Sequence, residues 1–165
     1  MSGTASGNIG EERDRPQLVP VASSDLGLLE RMVRAYYAEG GLAFDECRQC
    51  AALAGLVGGD ALGRGWLVRL NGEVIGYVVL TWSFSLESGG LDGYVDELFL
   101  EPGVRGRGLG ARVLALAELE ARRLGLLRLY LEVEHGNPAI NLYRRAGFVD
   151  HRRHLMSKRL GPATT

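Results

Sequence analysis

The chain has 165 residues, 46% of them hydrophobic, with a formal net charge of −1. That length supports one globular core without disulfide or metal staples. The balanced charge excludes the basic excess expected of a nucleic-acid binder, and the apolar stretches break well before the roughly 20 residues that a membrane-spanning helix needs. Met1–Arg15 has no hydrophobic core of the signal-peptide kind, so a cytoplasmic location is expected.

Residues 1–15 are small, polar and glycine-bearing, which predicts a disordered tail ahead of a single domain over 16–162. Gln17–Ala22 alternates weakly as a first strand. Ser23 or Ser24 is placed to cap a helix over Asp25–Glu39, whose apolar face holds Leu28, Leu29, Met32, Val33 and Tyr36. A second helix is expected over Asp45–Val57. It carries Cys47 and Cys50, a lone C-x-x-C without a second pair, which reads as two ordinary thiols and not as half a zinc site. Trp66–Leu70, the Asn71-Gly72 turn and Val74–Ser83 give a hairpin signal. Glu87–Gly93 reads as a polar turn, followed by a strand over Tyr94–Leu100, a glycine loop and an amphipathic helix carrying Leu109, Val113, Leu114, Leu116, Ala117 and Ala121. A strand over Leu126–Glu134, a short helix over Ala139–Ala146 closed by Gly147, and strand structure over Phe148–Leu160 complete the chain. His151 and His154 fall on that last strand, where a spacing of three does not bring them together. They read as surface histidines, and no metal site is expected.

The stretch from Val95 to Ala111 runs from strand through an arginine-bearing glycine loop into a long helix, and this order reads as a pyrophosphate site. Unpaired amides at a helix start and the positive end of the helix dipole attract phosphate without a metal. Gly106, Gly108 and Gly110 let a ligand approach the backbone, and Arg105 and Arg107 add positive charge. A Walker loop is excluded because no Gly-Lys-Ser/Thr follows. The dinucleotide pattern G-x-G-x-x-G/A is formally met by Gly106, Gly108 and Ala111, with Glu132 or Glu134 as the ribose-binding acid. Glu101–Arg105, however, separates the strand from the first glycine.

Arg105-Gly106-Arg107-Gly108-Leu109-Gly110 resembles the R/Q-x-x-G-x-G/A loop of the GNAT superfamily of acyl-CoA-dependent N-acyltransferases. Asn137–Phe148, with its Leu-Tyr-x-x-x-Gly-Phe ending, resembles that family's second cofactor motif, and the motif spacing is nearest that of the polyamine- and small-amine-acetylating members. The asparagine stands six residues before Tyr143 where seven is commoner. The resemblance implies a mixed α/β domain: a mostly antiparallel sheet of about seven strands with flanking helices, in the order βααβββαβαββ. It implies acetyl-CoA as co-substrate, held by Leu98, Phe99, Leu100, Arg105, Gly106, Arg107, Gly108, Leu109, Gly110, Ala111, Asn137, Asn141 and Tyr143. Backbone groups of Leu98 and Leu100 would pair with the pantetheine arm as an added strand. Homodimers occur in the family, and His154–Leu160 is the candidate exchange edge.

Acetylating an amine needs a group to take the amine's proton, and Asp96-Glu97 lies next to the expected thioester position. Register with the polyamine-acetylating members puts Asp96 first as the base and Glu97 second. Tyr143 is the candidate acid for the departing thiolate, since a phenol keeps its proton at neutral pH. Tyr36, Glu39, Asp96 and Glu97 are the expected acceptor-site residues, and Asp92 and Glu87 add acidity on that side. An acidic, aromatic site favours a small cationic amine. A protein N-terminus or lysine, and a non-catalytic acyl-CoA sensor, are the alternatives.

Overall fold

The computed structural model describes residues 15–57, 61–151, 153–158 and 160, so the tail expected over 1–15 lies outside the described residues except for Arg15. Five strands form one sheet in sequence order: β1 (Gln17–Pro20), β2 (Gly63–Leu70), β3 (Glu73–Ser85), β4 (Gly90–Leu100) and β5 (Arg128–Tyr130). The first four are an antiparallel series, and β5 joins β4 in parallel. Helices α1 (Leu26–Glu39) and α2 (Glu46–Val57) cover one face, and α3 (Leu109–Arg123) and α4 (Ile140–Arg145) lie on the other.

Local sequence explains most boundaries. Asn71 (φ 54°) and Gly72 (φ 86°) both take left-handed backbone, as the two-residue turn between β2 and β3 requires. The entry to α1 is a 3₁₀ turn over Ser23–Asp25, where Asp25 Oδ2 accepts the Ala22 amide at 2.9 Å. The cap is therefore an aspartate that reaches back, not the expected Ser23 or Ser24. Gly147, at φ 93°, closes α4. The β3–β4 hairpin is longer than its apolar residues suggested. Leu91–Gly93, read from sequence as turn, continue the ladder opposite Trp82, Ser83 and Phe84.

Two cores sandwich the sheet. On the α1/α2 face Leu29, Met32, Val33, Leu53, Leu67, Tyr77, Val79 and Phe99 pack together. On the other face Val78, Leu80 and Val95 meet Leu114, Ala117 and Ala121 of α3, beside a third cluster of Val68, Leu70, Leu109 and Val113. Burying side chains of this size contributes about 1.5–3 kcal/mol each before entropy is counted.

Strand alternation alone would put Val95, Glu97 and Phe99 on one face. The register shifts instead: Val79 pairs with Glu97 while Leu80 pairs with Val95, leaving Asp96 as the extra residue of a bulge. Val95 thus turns to the α3 face, while Glu97 and Phe99 stay on the α1 face.

The strands expected over Phe148–Leu160 are not formed by its described residues, and the Leu126–Glu134 strand contracts to Arg128–Tyr130. A strand needs a backbone ladder. Here side chains hold the segment instead: Arg144 with Asp150 at 2.6 Å, Arg153 with Glu87 at 3.4 Å, and the His151 ring 6.2 Å from Tyr130. The expected exchange edge at His154–Leu160 consequently has no strand to offer among its described residues.

Gly76 faces β4 where no side chain fits, since a Cβ there would stand 2.1 Å from the Phe99 carbonyl oxygen. Gly76→Ala is expected to destabilise the fold by about 2 kcal/mol or more, read by urea denaturation, because the obstacle is backbone. Gly103→Ala, whose Cβ would meet nothing within 4 Å, is expected to be nearly neutral.

Candidate active site

The parallel pairing of β4 with β5 covers only Asp92–Tyr94 against Arg128–Tyr130. From Val95 onward β4 has no strand partner on that side among the described residues. The Glu101 amide donates to the Ile75 carbonyl at 2.9 Å, so by antiparallel alternation residues 97, 99 and 101 aim their backbone groups at β3. Leu98 and Leu100 aim theirs at the open edge. The cleft between the parted strands encloses about 420 Å³ and is lined by Tyr36, Tyr94, Val95, Asp96, Glu132, Val133 and Glu134.

At the end of β4 a 3₁₀ turn over Pro102–Val104 leads into the glycine loop. Gly106 (φ 77°) and Gly108 (φ 74°) are both left-handed, Gly108 is the N-cap of α3, and a Cβ on either would meet nothing within 4 Å. Open space thus lies over the loop, and the first amides of α3 at Leu109, Gly110 and Ala111 have no partner within the helix. Gly110 has another reason to be small: its Cβ would lie 3.3 Å from Leu142 of α4.

The two loop arginines differ. Arg105 donates from Nε to the Leu100 carbonyl at 2.7 Å and from Nη2 to Glu39 at 3.1 Å, with its guanidinium 5.3 Å from the Phe99 ring. Arg107 is exposed and makes no ion pair among the described residues. Glu39, expected at the acceptor site, therefore stands at the glycine loop as the partner of Arg105, and the Leu100 carbonyl is occupied. Phe99 is 2% exposed, with Tyr36 edge-on to it at 6.5 Å and Tyr77 tilted against it at 5.8 Å, and its backbone is turned to β3. It is placed as a core residue. Asn137 uses its side-chain oxygen to accept the Ala139 amide at 2.9 Å ahead of α4, and Asn141 is exposed.

The remaining predicted groups converge from both faces. Tyr36 on α1 lines the cleft with Asp96, and its phenol is pushed up first by burial and then by the charges of Glu97, Tyr143 and Asp96. Burial pushes the Tyr143 phenol up, and its ring packs edge-on against Phe148 at 6.0 Å. Asp96 as a residue is exposed, yet its carboxyl is enclosed enough that burial raises its pKa. Glu97 is raised too, first by burial and then by the charge of Asp96, against the hydrogen bonds of Tyr77 and Tyr37. Tyr77 Oη donates to Glu97 Oε2 at 2.8 Å.

Farther along the hairpin, Asp92 is 4% exposed and accepts from Ser88 Oγ at 2.8 Å, and Glu87 pairs with Arg128 and Arg153. Both are thus tied into the β3–β4 turn and lie apart from the cleft. Tyr77, Tyr94, Glu132 and Glu134 were not foreseen in these places. Tyr77 reads as core in a run of apolar residues, and the two glutamates drew notice only as ribose ligands. Among the described residues no cluster suits a metal ion.

A family model described as the acetyltransferase (GNAT) family matches residues 29–148, which include the loop, the carboxylate pair and Tyr143. The chain belongs to the GNAT acetyltransferase family. Aminoalkylphosphonate N-acetyltransferase of Salmonella typhimurium is 36% identical over 84 residues, 50% of this chain and 54% of that protein. Streptothricin acetyltransferase of Streptomyces lavendulae is 35% identical over 99 residues, 57% of this chain and 49% of that protein. The chain thus spans about half the length of these curated relatives. Among solved structures, an integron cassette protein from the mobile metagenome of Cole Harbour Salt Marsh shares 36% identity at TM-score 0.77, covering 89% of this chain and 92% of that one.

The Arg105–Glu39 pair is 42% and 44% exposed, so it is screened by water and salt. A double-mutant cycle with Arg105→Gln and Glu39→Gln is expected to give a coupling of no more than about 1 kcal/mol, shrinking in 1 M salt.

Proposed function

We propose that this chain moves an acetyl group from acetyl-CoA to a primary amine on a small cationic molecule. The observation that carries the reading is the conjunction at β4. An unpaired strand edge leads directly into a glycine loop, with Asp96 lining the cleft, Glu97 next to it in the chain, and a half-buried phenol, Tyr143, that acts on the same Tyr36.

The residues suit the co-substrate. The open edge at Leu98 and the Leu100 amide offers hydrogen-bonding groups to an extended amide chain, and the loop offers α3 amides and Arg107 to a diphosphate. Acetyl-CoA supplies an acyl thioester there. Asp96 and Glu97 together take the amine's proton. Adjacent carboxylates in a half-enclosed site hold a proton more readily than isolated ones, so their affinity is nearer to what proton transfer at neutral pH requires. Tyr143 keeps its proton until a strongly basic thiolate needs it. The acceptor lies on the Tyr36 and Tyr94 side, where aromatic rings and the carboxylates Asp96, Glu132 and Glu134 favour a cation. Relatives named for aminoalkylphosphonate and streptothricin support a small-molecule acceptor over a protein.

Replacing Arg105 with Ala and Gly108 with Val together is expected to raise the acetyl-CoA dissociation constant at least tenfold, about 1.4 kcal/mol, measured calorimetrically. Val at Gly108 must adopt a left-handed N-cap, and loss of Arg105 releases the loop from Leu100. Unchanged affinity would sink the loop assignment. Tyr143→Phe is expected to leave acetyl-CoA binding intact and lower turnover about a hundredfold. Equal turnover in wild type and variant would mean that another donor protonates the thiolate.

A further inference from the structure

A fully buried hydroxyl must spend its hydrogen bond inside the protein, and where it spends it is informative. Tyr77 has no exposed surface, and its hydroxyl donates to Glu97 Oε2 at 2.8 Å. Tyr37 of α1 also favours the charged form of the Glu97 carboxyl, though less than Tyr77 does. Gln49 Nε2 of α2 in turn donates to Tyr37 Oη at 3.5 Å, and Gln49 Oε1 accepts the Asp45 amide at 3.0 Å. Glu97 is thus hydrogen-bonded to the centre of β3, and the α1 phenol that also acts on it is itself held by the start of α2.

We infer that Tyr77 and Tyr37 are positioning residues that fix the Glu97 carboxylate and set the pH at which the Asp96–Glu97 pair becomes ready to accept a proton. The inference rests on the amine-acetylating reading above. Phenylalanine at position 77 would pack as well as tyrosine against Phe99, whose ring centroid is 5.8 Å away, so packing does not account for the hydroxyl. Regular register from Tyr77–Phe99 to Val79–Glu97 puts Glu97 on the Tyr77 face, and the bulge at Asp96 lets Val95 turn to the other core without disturbing it.

The direction follows from the groups that face Glu97. These are Tyr77 from β3, Tyr36 and Tyr37 from α1, and Asp96 beside it on β4. No cation is among those that act on it. Burial and Asp96 favour the protonated acid, and the two phenols favour the carboxylate. Removing a phenol therefore leaves the acid form stronger, and the pair stays protonated to higher pH.

The test is a carboxyl ¹³C NMR titration of glutamate-labelled wild type, Tyr77→Phe and Tyr37→Phe, with Glu97→Gln used to assign the resonance. The titration needs no turnover, so it stands even if no amine is acetylated. Tyr77→Phe is expected to raise the Glu97 midpoint by about one pH unit, and Tyr37→Phe to raise it by less. In parallel, the acidic limb of kcat/KM for the amine moves up by the same amount in Tyr77→Phe, so activity falls about tenfold below the limb and recovers above it. Unmoved midpoints in both variants overturn the inference, as does a uniform loss of activity at every pH. If Tyr77→Phe does not fold, Tyr37→Phe decides alone, since its half-buried position on α1 tolerates the change. Moved midpoints in a protein that acetylates no amine would leave the network standing and remove the proposed reaction instead.

Discussion

The one-residue offset in β4 at Asp96 is the constraint on which the site depends. With a regular ladder Val95 and Glu97 would share a face, so either an apolar residue would leave the α3 core or a carboxylate would enter it. The bulge lets both settle: Val95 packs with Leu80 and Leu114, and Glu97 reaches Tyr77. It also coincides with the place where β4 loses β5. The same two residues thus mark the end of parallel pairing and the start of an edge whose amides and carbonyls have no strand partner.

Everything around that edge holds it in place from one side. β3 supplies the ladder, and Gly76 lets the two backbones close up. Arg105 grips the carbonyl of Leu100 and ties the loop to the last residue of α1. α1 therefore serves two neighbours one turn apart. Glu39 pairs with Arg105 of the glycine loop, and Tyr36 lines the cleft with Asp96.

Much of this was legible in the sequence because it is local. The Asn71-Gly72 turn, the left-handed glycines of the loop, the apolar stripe of α3 and Gly147 after α4 are each written in adjacent residues, and the two motifs pointed to the family. What depended on pairing across the fold was not. The Asp92 carboxylate and the Glu39 side chain looked like acceptor groups, but their partners Ser88 and Arg105 are fixed only by the hairpin and by contact between α1 and the loop. The segment after Phe148 reads as strand from sequence, yet such a reading states only a preference, and no ladder forms among the described residues. Tyr77 was missed because a tyrosine in an apolar run carries no mark of where its hydroxyl ends.

The most direct measurement of the central claim is thiol release from acetyl-CoA across polyamines, aminoglycosides, amino acids and short peptides, with acetyl-CoA binding followed in the same samples. The account predicts saturable acetyl-CoA binding and release of one thiol per N-acetylated product, confined to one class of cationic small-molecule amines. Binding without release on any amine would contradict acetyl transfer at the Asp96–Glu97 pair, and failure to bind acetyl-CoA at all would contradict the role given to the open edge of β4.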